Sequence, residues 1–556
     1  MFFRWTLLLL FLLLGLHSQP LAGQTGKAAP VREADAVCGQ CHEKIFADYL
    51  ETPMANASGL AMERLYPGAY KQEAAGVEYS VGRDGGKAML HYKLPTTPPV
   101  SGQEQLQYFL GSGHLGLTYL YEKNGYWLES PVAYYERLRG YAMKPGLEPA
   151  TEMPAALTLN PSCLRCHMSG VQRQVEGTDN LYKQLPFLQV GITCESCHGD
   201  AREHVASKGK AAVVNPIKLS PEKRDSTCIV CHLEGDTNVE RRGKAGLDFK
   251  PGDDIRDYFS YFVYAGATNT KRGVSEIEQF NSSRCKIATG PSMSCMNCHD
   301  PHASPAVAER AGFYRAKCLT CHTQEKFATQ HFPATPDCTG CHMPKTGSEN
   351  IAHVAWTDHR IRQRPGETAL SLSGLDAPAE QAPELVSILD SEKRPRDVAM
   401  AYYGLAVEGI ATALPKALQL LTAAVQTNRD DVPLLQALGV ISEMKGDNGS
   451  AAGYYRAVLQ LQPDNMTAGT NLGTLLAKSG DLEAAAAAWT RVFKTNEDVP
   501  ELGRNLAVVE CRLGNKALAE KAMSKLLTYS PGLVEARKTL TAIQSGQHPC
   551  VATLAP

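Results

Sequence analysis

Fourteen of the seventeen cysteines fall into seven copies of one arrangement, Cys-x-x-Cys-His: Cys38, Cys41 and His42; Cys163, Cys166 and His167; Cys194, Cys197 and His198; Cys228, Cys231 and His232; Cys295, Cys298 and His299; Cys318, Cys321 and His322; Cys338, Cys341 and His342. Two thiols separated by two residues can each add to one vinyl group of the same porphyrin. The imidazole beside the second thiol then sits beneath the iron as its proximal ligand. The pentads therefore predict seven covalently attached haem c groups with these seven histidines as proximal ligands. Zinc sites also use Cys-x-x-Cys, but they close a tetrahedron with two such pairs and need no His after each. A redox-active dithiol would occur once, inside a βαβ pattern. Cys285, Cys511 and Cys550 remain outside the pentads; Cys511 reads as a buried helix residue.

Each iron has a second axial position to fill, and the remaining histidines supply the candidates. His204 follows His198 by six residues and His302 follows His299 by three. Both are too near a proximal ligand to reach the opposite face of the same haem, so each is expected to serve a neighbouring one. His353 and His359 lie six apart after the last pentad and could reach two irons; His331 stands nine residues past His322. His114 sits among Gly111, Gly113 and Gly116, which let backbone approach a flat cofactor closely. Met54 competes for one position, since a thioether ligand raises the potential, but it reads equally as core filling. His91, in the middle of a strand pattern, is a weaker candidate, and His548 reads as a surface residue.

These residues need elements to position them. Asp84-Gly85-Gly86 lies between Val77–Val81 and Lys87–Leu94, and Lys123-Asn124-Gly125 between Leu117–Glu122 and Tyr126–Glu129, each a hairpin signal. Residues 136 to 345 lack long periodic runs and are rich in Gly, Pro and polar turns, which suits a region whose apolar core is porphyrin. The expected fold class is mainly α: a haem-bearing domain of short helices and loops over 34–360, with a small β-hairpin insertion at about 76–135. A linker at 361–396, helical repeats over 397–545 and a tail at 546–556 follow. Residues 1–23, one Arg followed by the apolar run Leu7–Leu16 and small residues at Ala22-Gly23, read as a secretory signal. With the signal removed, no membrane span is expected, and the chain is expected to be exported, periplasmic or extracellular.

Two resemblances follow from these residues. After the first pentad come a short amphipathic helix and Thr52-Pro53-Met54-Ala55, similar to the Ser-Pro-His-Ala segment of multihaem cytochromes of the cytochrome c-554 type, with Met54 where that family has a ligating His. Cys194 to His204 resembles that family's C-x-x-C-H-G-P-G-x-x-H pattern, with Asp200 and Ala201 replacing Pro and Gly. His299-Asp300-Pro301-His302 resembles a doubled haem motif. Near the C-terminus Leu438-Gly439 recurs as Leu472-Gly473 and Leu506-Ala507, Gly446-Asp447 as Gly480-Asp481 and Gly514-Asn515, and Tyr455 as Trp489 and Met523. That period of 34 looks like tetratricopeptide repeats, which imply a helical solenoid able to bind another protein.

Net charge is −2 and the sequence pI about 6.8, which gives no basic footprint for nucleic acid. Three functions are compatible with these features. The favoured one is electron transfer through closely spaced haems, with the repeats docking redox partner proteins or assembling an oligomer or filament. The second is an oxidoreductase acting on a small nitrogen or sulfur compound at a five-coordinate haem. The third is a scaffold in which haem is structural. No Cys-x-x-Cys-Lys occurs.

Overall fold

The computed structural model describes residues 29–97, 99–265, 272–323, 337–348, 353–362, 382–390, 392 and 394–546. The leader, His331, His548, Cys550 and much of the 361–396 segment lie outside the described residues.

Two tight turns seed the first half of the fold. Gly85 and Gly86 take φ of +52° and +80°, which joins Val77–Asp84 to Lys87–Leu94 with Asp84 opposite Lys87. Asn124 and Gly125, at +54° and +86°, join Gly116–Lys123 to Tyr126–Glu129 with Lys123 opposite Tyr126. Positive φ at both central residues matches the twist of the flanking strands. Around these hairpins the chain builds far more sheet than two hairpins. Gly68–Gln72, Val77–Asp84, Lys87–Leu94 and Val100–Leu106 form a four-stranded antiparallel sheet. Ser58–Leu60, Tyr108–Leu110, Gly116–Lys123, Tyr126–Glu129, Val132–Tyr135, Gly140–Met143 and Leu157–Thr158 form a seven-stranded one. Val77, Tyr79 and Leu90 of the first sheet share one core with Tyr119, Leu128 and Val132 of the second.

The expectation of a mainly α cytochrome region is therefore corrected. Among the described residues strands make up 17% and helices roughly 44%, but the strands are concentrated before residue 160, so this part is a β structure. The reason is burial. Tyr108–Leu110 and Val132–Tyr135 are buried along their whole length, so they show no polar alternation to mark them as strands. Val100–Leu106, by contrast, is a largely polar strand at the sheet's edge.

Beyond Thr158 the elements are short. Several helices start at a cap and end at a pentad histidine: Asn160 accepts from the Ser162 amide ahead of Pro161–His167, Pro221 opens Pro221–His232, and Asp337 accepts from the Gly340 amide ahead of Cys338–His342.

The C-terminal part consists of four helix pairs, Pro395–Val407 with Ala413–Val425, Val432–Met444 with Asn448–Leu461, Met466–Lys478 with Leu482–Phe493, Pro500–Arg512 with Lys516–Tyr529, and then Val534–Ser545. Small residues let the paired helices approach: Gly439 faces Tyr455, and Gly473 faces Trp489, so closely that a Cβ would collide with the ring. The caps repeat too, with Asp447 accepting from Ser450 N at 3.1 Å and Asp481 from Ala484 N at 3.1 Å.

One edge of this solenoid, the loops between pairs, rests on the rest of the chain. Arg242 reaches Asn428 and Asp430. Asn180 donates to Asp498 at 2.9 Å, Asn496 to the Gly177 carbonyl at 3.2 Å, and Asn124 to the Tyr529 hydroxyl at 3.1 Å. Met153 fills the space over Gly532.

Candidate functional site

Every described pentad is wound into a helical turn. His42 N donates to Cys38 O at 2.9 Å, His198 N to Cys194 O at 2.9 Å, His299 N to Cys295 O at 2.9 Å and His322 N to Cys318 O at 3.0 Å, and the other three pentads lie within helices. A helical turn puts residues three and four apart on one face, so both thiols and the imidazole of each pentad point the same way.

They point into one continuous cavity of about 4030 Å³, lined by residues of all seven pentads. Ordinary small-molecule pockets hold about 300–1,000 Å³. Apolar side chains along its wall are bare: Ile45, Leu188, Ile217 and Val307 are 46%, 55%, 60% and 77% exposed. Such a wall, with paired thiols and imidazoles at intervals, fits a column of apolar, covalently held porphyrins.

The imidazoles themselves make the strongest fit. The His42 and His204 rings have centroids 6.3 Å apart and planes at 13°; His198 and His302, 5.9 Å and 11°; His299 and His359, 6.2 Å and 31°. Two imidazoles that each bond one metal ion at about 2 Å leave their centroids about 6 Å apart, whereas rings in direct stacking contact sit closer.

The far nitrogen of several of these rings is tied to backbone. Nδ1 of His167 meets Ala57 O at 3.1 Å, His198 meets Val214 O at 2.7 Å, His204 meets Ala211 O at 2.7 Å, His342 meets Arg362 O at 2.5 Å and His359 meets Thr357 O at 2.9 Å. Bonding a carbonyl requires the proton on Nδ1, which leaves Nε2 as a free electron pair for iron. His232 differs: its Nδ1 faces the Glu276 carboxylate at 3.8 Å.

Pentads far apart in sequence touch. Cys166 lies 4.0 Å from Cys231 O, and Cys231 lies 3.8 Å from Arg165 O. Cys228 adjoins Cys295, and Cys318 adjoins Cys338. The ligand atoms of Asp35, Cys38 and Cys194 lie within 4.8 Å of one another. The sulfurs of that trio stand for thioethers once porphyrin is attached, so it is no independent ion site. Asp35, 2% exposed, accepts from the Cys194 amide at 2.8 Å; burial raises its carboxyl above the usual range.

The other predicted residues are placed as follows. Met54 lines the cavity and also packs on Tyr49 and Ala55, so both of its readings have contacts. His114 is exposed, while its neighbours Ser112 and Leu115 line the cavity. His91 lies on Lys87–Leu94 opposite Gln103. His353, at φ +64°, sets its ring 5.2 Å from Tyr135, a cavity-wall residue. Cys285 lines the cavity with a free thiol near Cys298 and Cys321.

Several participants escape a reading of motifs alone. Asp358, fully buried, grips Arg360 and Arg362 at 2.7 Å each; burial opposes its charge, but the two guanidiniums outweigh it and hold the carboxyl below the usual range. Glu276 carries no motif. The Lys144–Glu129 pair lies in the wall near Cys163, and burial lowers the Lys144 ammonium to about 8.

Comparison with known sequences agrees with this chemistry. The sequence profile of the family "Cytochrome c554 and c-prime" matches residues 135–199, that of the doubled CXXCH motif residues 288–327, and that of the tetratricopeptide repeat residues 470–533. No curated protein matches the chain. Among solved structures it is similar to a MamA protein, at 18% identity over 28% of this chain and 84% of that one with a TM-score of 0.26. It is also similar to a tetratricopeptide repeat protein from Parabacteroides merdae, at 22% over 28% and 62% with 0.25, and to pilF of Pseudomonas aeruginosa, at 18% over 28% and 74% with 0.25. The chain thus joins cytochrome c554-like sequence and a doubled motif for covalent c-type haem to C-terminal tetratricopeptide repeats.

Proposed function

We propose that this protein is an exported multihaem cytochrome that carries electrons along about seven covalently bound haems. The observation that supports it most is the three imidazole pairs, each spaced for one iron: His42 with His204, His198 with His302, His299 with His359. In every pair the second histidine follows a different pentad, so the segment carrying one haem closes another. This ties the haems of the first, third, fifth and seventh pentads in sequence. The thiol contacts add links from second to fourth, fourth to fifth, and sixth to seventh. Together they connect all seven, the arrangement a relay needs. Six-coordinate iron favours outer-sphere transfer, with each potential set by ligand, burial and hydrogen bonds.

Cys41, Cys321 and Cys341 are the exposed cysteines among the described pentads, so the first haem and the last two are the proposed ports for redox partners. Tetratricopeptide repeats are a protein-binding scaffold; here the inter-pair loop edge already holds the chain's own β region, which leaves the other faces for a partner. Cys511 is disulfide-bonded, in keeping with an oxidising compartment. No described helix is long and apolar enough to cross a membrane.

Electron paramagnetic resonance and magnetic circular dichroism of the holoprotein test the reading. Low-spin signals for at least three bis-histidine haems are expected; a wholly high-spin spectrum contradicts it. A second reading, an oxidoreductase acting on a small nitrogen or sulfur compound, has one observation in favour: among the described residues no ring contact pairs His167 or His232 with a second imidazole. A high-spin ferric signal that shifts with nitrite or hydroxylamine distinguishes it.

A further inference from the structure

We infer that Glu276 is a positioning residue that sets the haem held by Cys228, Cys231 and His232 to a lower potential than those on His167, His198, His299 and His342. The inference rests on the haem reading above and concerns what stands behind the ligand.

The contrast is between acceptors. His167, His198 and His342 offer their Nδ1 proton to a neutral backbone carbonyl, and His299 faces the Tyr314 hydroxyl at 3.3 Å. His232 alone among them faces a carboxylate, Glu276 Oε2 at 3.8 Å. That oxygen is sealed from solvent and has no hydrogen-bond partner. An orphaned buried carboxylate oxygen is costly, and a proton donor aimed at it relieves the cost. At 3.8 Å the bond is not yet made. A shift of about 1 Å in the ring makes it, and His232 has room, since half of its side-chain surface opens on the cavity.

The helix that carries Glu276 is built to hold it there. Within Glu276–Asn281, Gln279 is buried, donates to Ser275 Oγ at 2.8 Å and accepts from the His359 amide at 2.8 Å. Glu278, one face round, accepts from the Gly235 amide at 2.8 Å. One short helix thus braces the loop of His359 and backs the ring of His232. Arg272, on the segment before this helix, pairs with Glu234 and Asp236 instead.

The consequence is electronic. A carboxylate behind Nδ1–H raises the basicity of Nε2, and a buried negative charge near the iron favours its oxidised form. Both effects lower the potential. Because the Cys228 and Cys231 thiols adjoin Cys295 and Arg165, this haem stands between those of the second and fifth pentads, where a low potential makes it a step that electrons cross instead of a site where they rest.

Potentiometric titration of holoprotein Glu276→Gln, followed by optical and low-temperature spectra, is the test. Glutamine keeps shape and removes charge. One haem is expected to rise by at least tenfold in its reduced-to-oxidised ratio at fixed potential, about 59 mV for one electron, while the bis-histidine signals keep their potentials and g values. Glu276→Asp, which withdraws the carboxylate by one methylene, is expected to move the same haem in the same direction by less, and it serves where the glutamine variant fails to fold. No shift in either variant with a full haem complement overturns this inference and leaves the relay standing. A mass spectrum lacking haem on Cys228 and Cys231 overturns both.

Discussion

The rings of His198 and His302 lie 5.9 Å apart at 11°, although each follows or belongs to a different pentad and 104 residues separate them. His302 lies three residues past His299, on a turn whose first residue, Asp300, accepts from the His302 amide at 2.9 Å. That turn sets the ring beside His198 of the third pentad.

His302→Ala removes one partner of that pair. Covalent attachment at Cys194 and Cys197 does not depend on it, so the haem complement is expected to stay constant while one low-spin signal is replaced by a high-spin one. An unchanged spin state, read by electron paramagnetic resonance, means that His302 is not a ligand.

Asp358 links the segments that carry His342 and His359. It pins Arg362, whose backbone carbonyl takes the His342 Nδ1 proton and whose amide donates to His342 O at 2.9 Å, and it sits next to His359. Breaking a buried ion network by removing one charge costs about 3–5 kcal/mol. Asp358→Asn is therefore expected to lower thermal stability and to perturb the signals of the fifth and seventh haems together. Magnetic circular dichroism that shows one haem altered and the other untouched contradicts the shared clamp.

The repeats and the β region meet through close backbone. Gly177 takes φ +79°, and a Cβ there would collide with the Asp464 carbonyl. Gly177→Ala forces the loop edge away from residues 177–180 and is expected to cost about 1–3 kcal/mol. Helical signal should then melt before the haem absorbance; coincident melting at the native midpoint means that this contact carries no load.

Burial, with Glu276 and Asp236 adding like charge, raises the Glu278 carboxyl to about 7, even though the Gly235 amide works the other way. The folded state holds that proton more tightly than the unfolded chain, whose carboxyl ionises near 4.5. Stability therefore falls as pH rises from about 4.5 to about 7, by on the order of 1–3 kcal/mol from this group. Thermal midpoints of Glu278→Gln should lack that fall. The same slope in both proteins would assign it elsewhere.

How much of this was legible in the sequence depends on the range of the interaction. The pentads are local covalent chemistry, and Asn124-Gly125 is a turn whose φ is written into its residue types, so both could be read directly. The strands Tyr108–Leu110 and Val132–Tyr135 could not, because burial on both faces erased their alternation. The expectation that His204 and His302 serve neighbouring haems comes from short spacing; which rings they meet, His42 and His198, is set by long-range packing that no spacing encodes. Asp358-His359-Arg360 with Arg362 is a local charge pattern that could have marked its clamp. Glu276 left no such trace, since its meeting with His232 depends on the fold of a six-residue helix.

The measurement that bears most directly on the whole account is the intact mass of the mature holoprotein. Seven covalent haem additions, one mapped to each pentad by proteolysis, are predicted. Markedly fewer additions, or a pentad recovered with free thiols, contradict it.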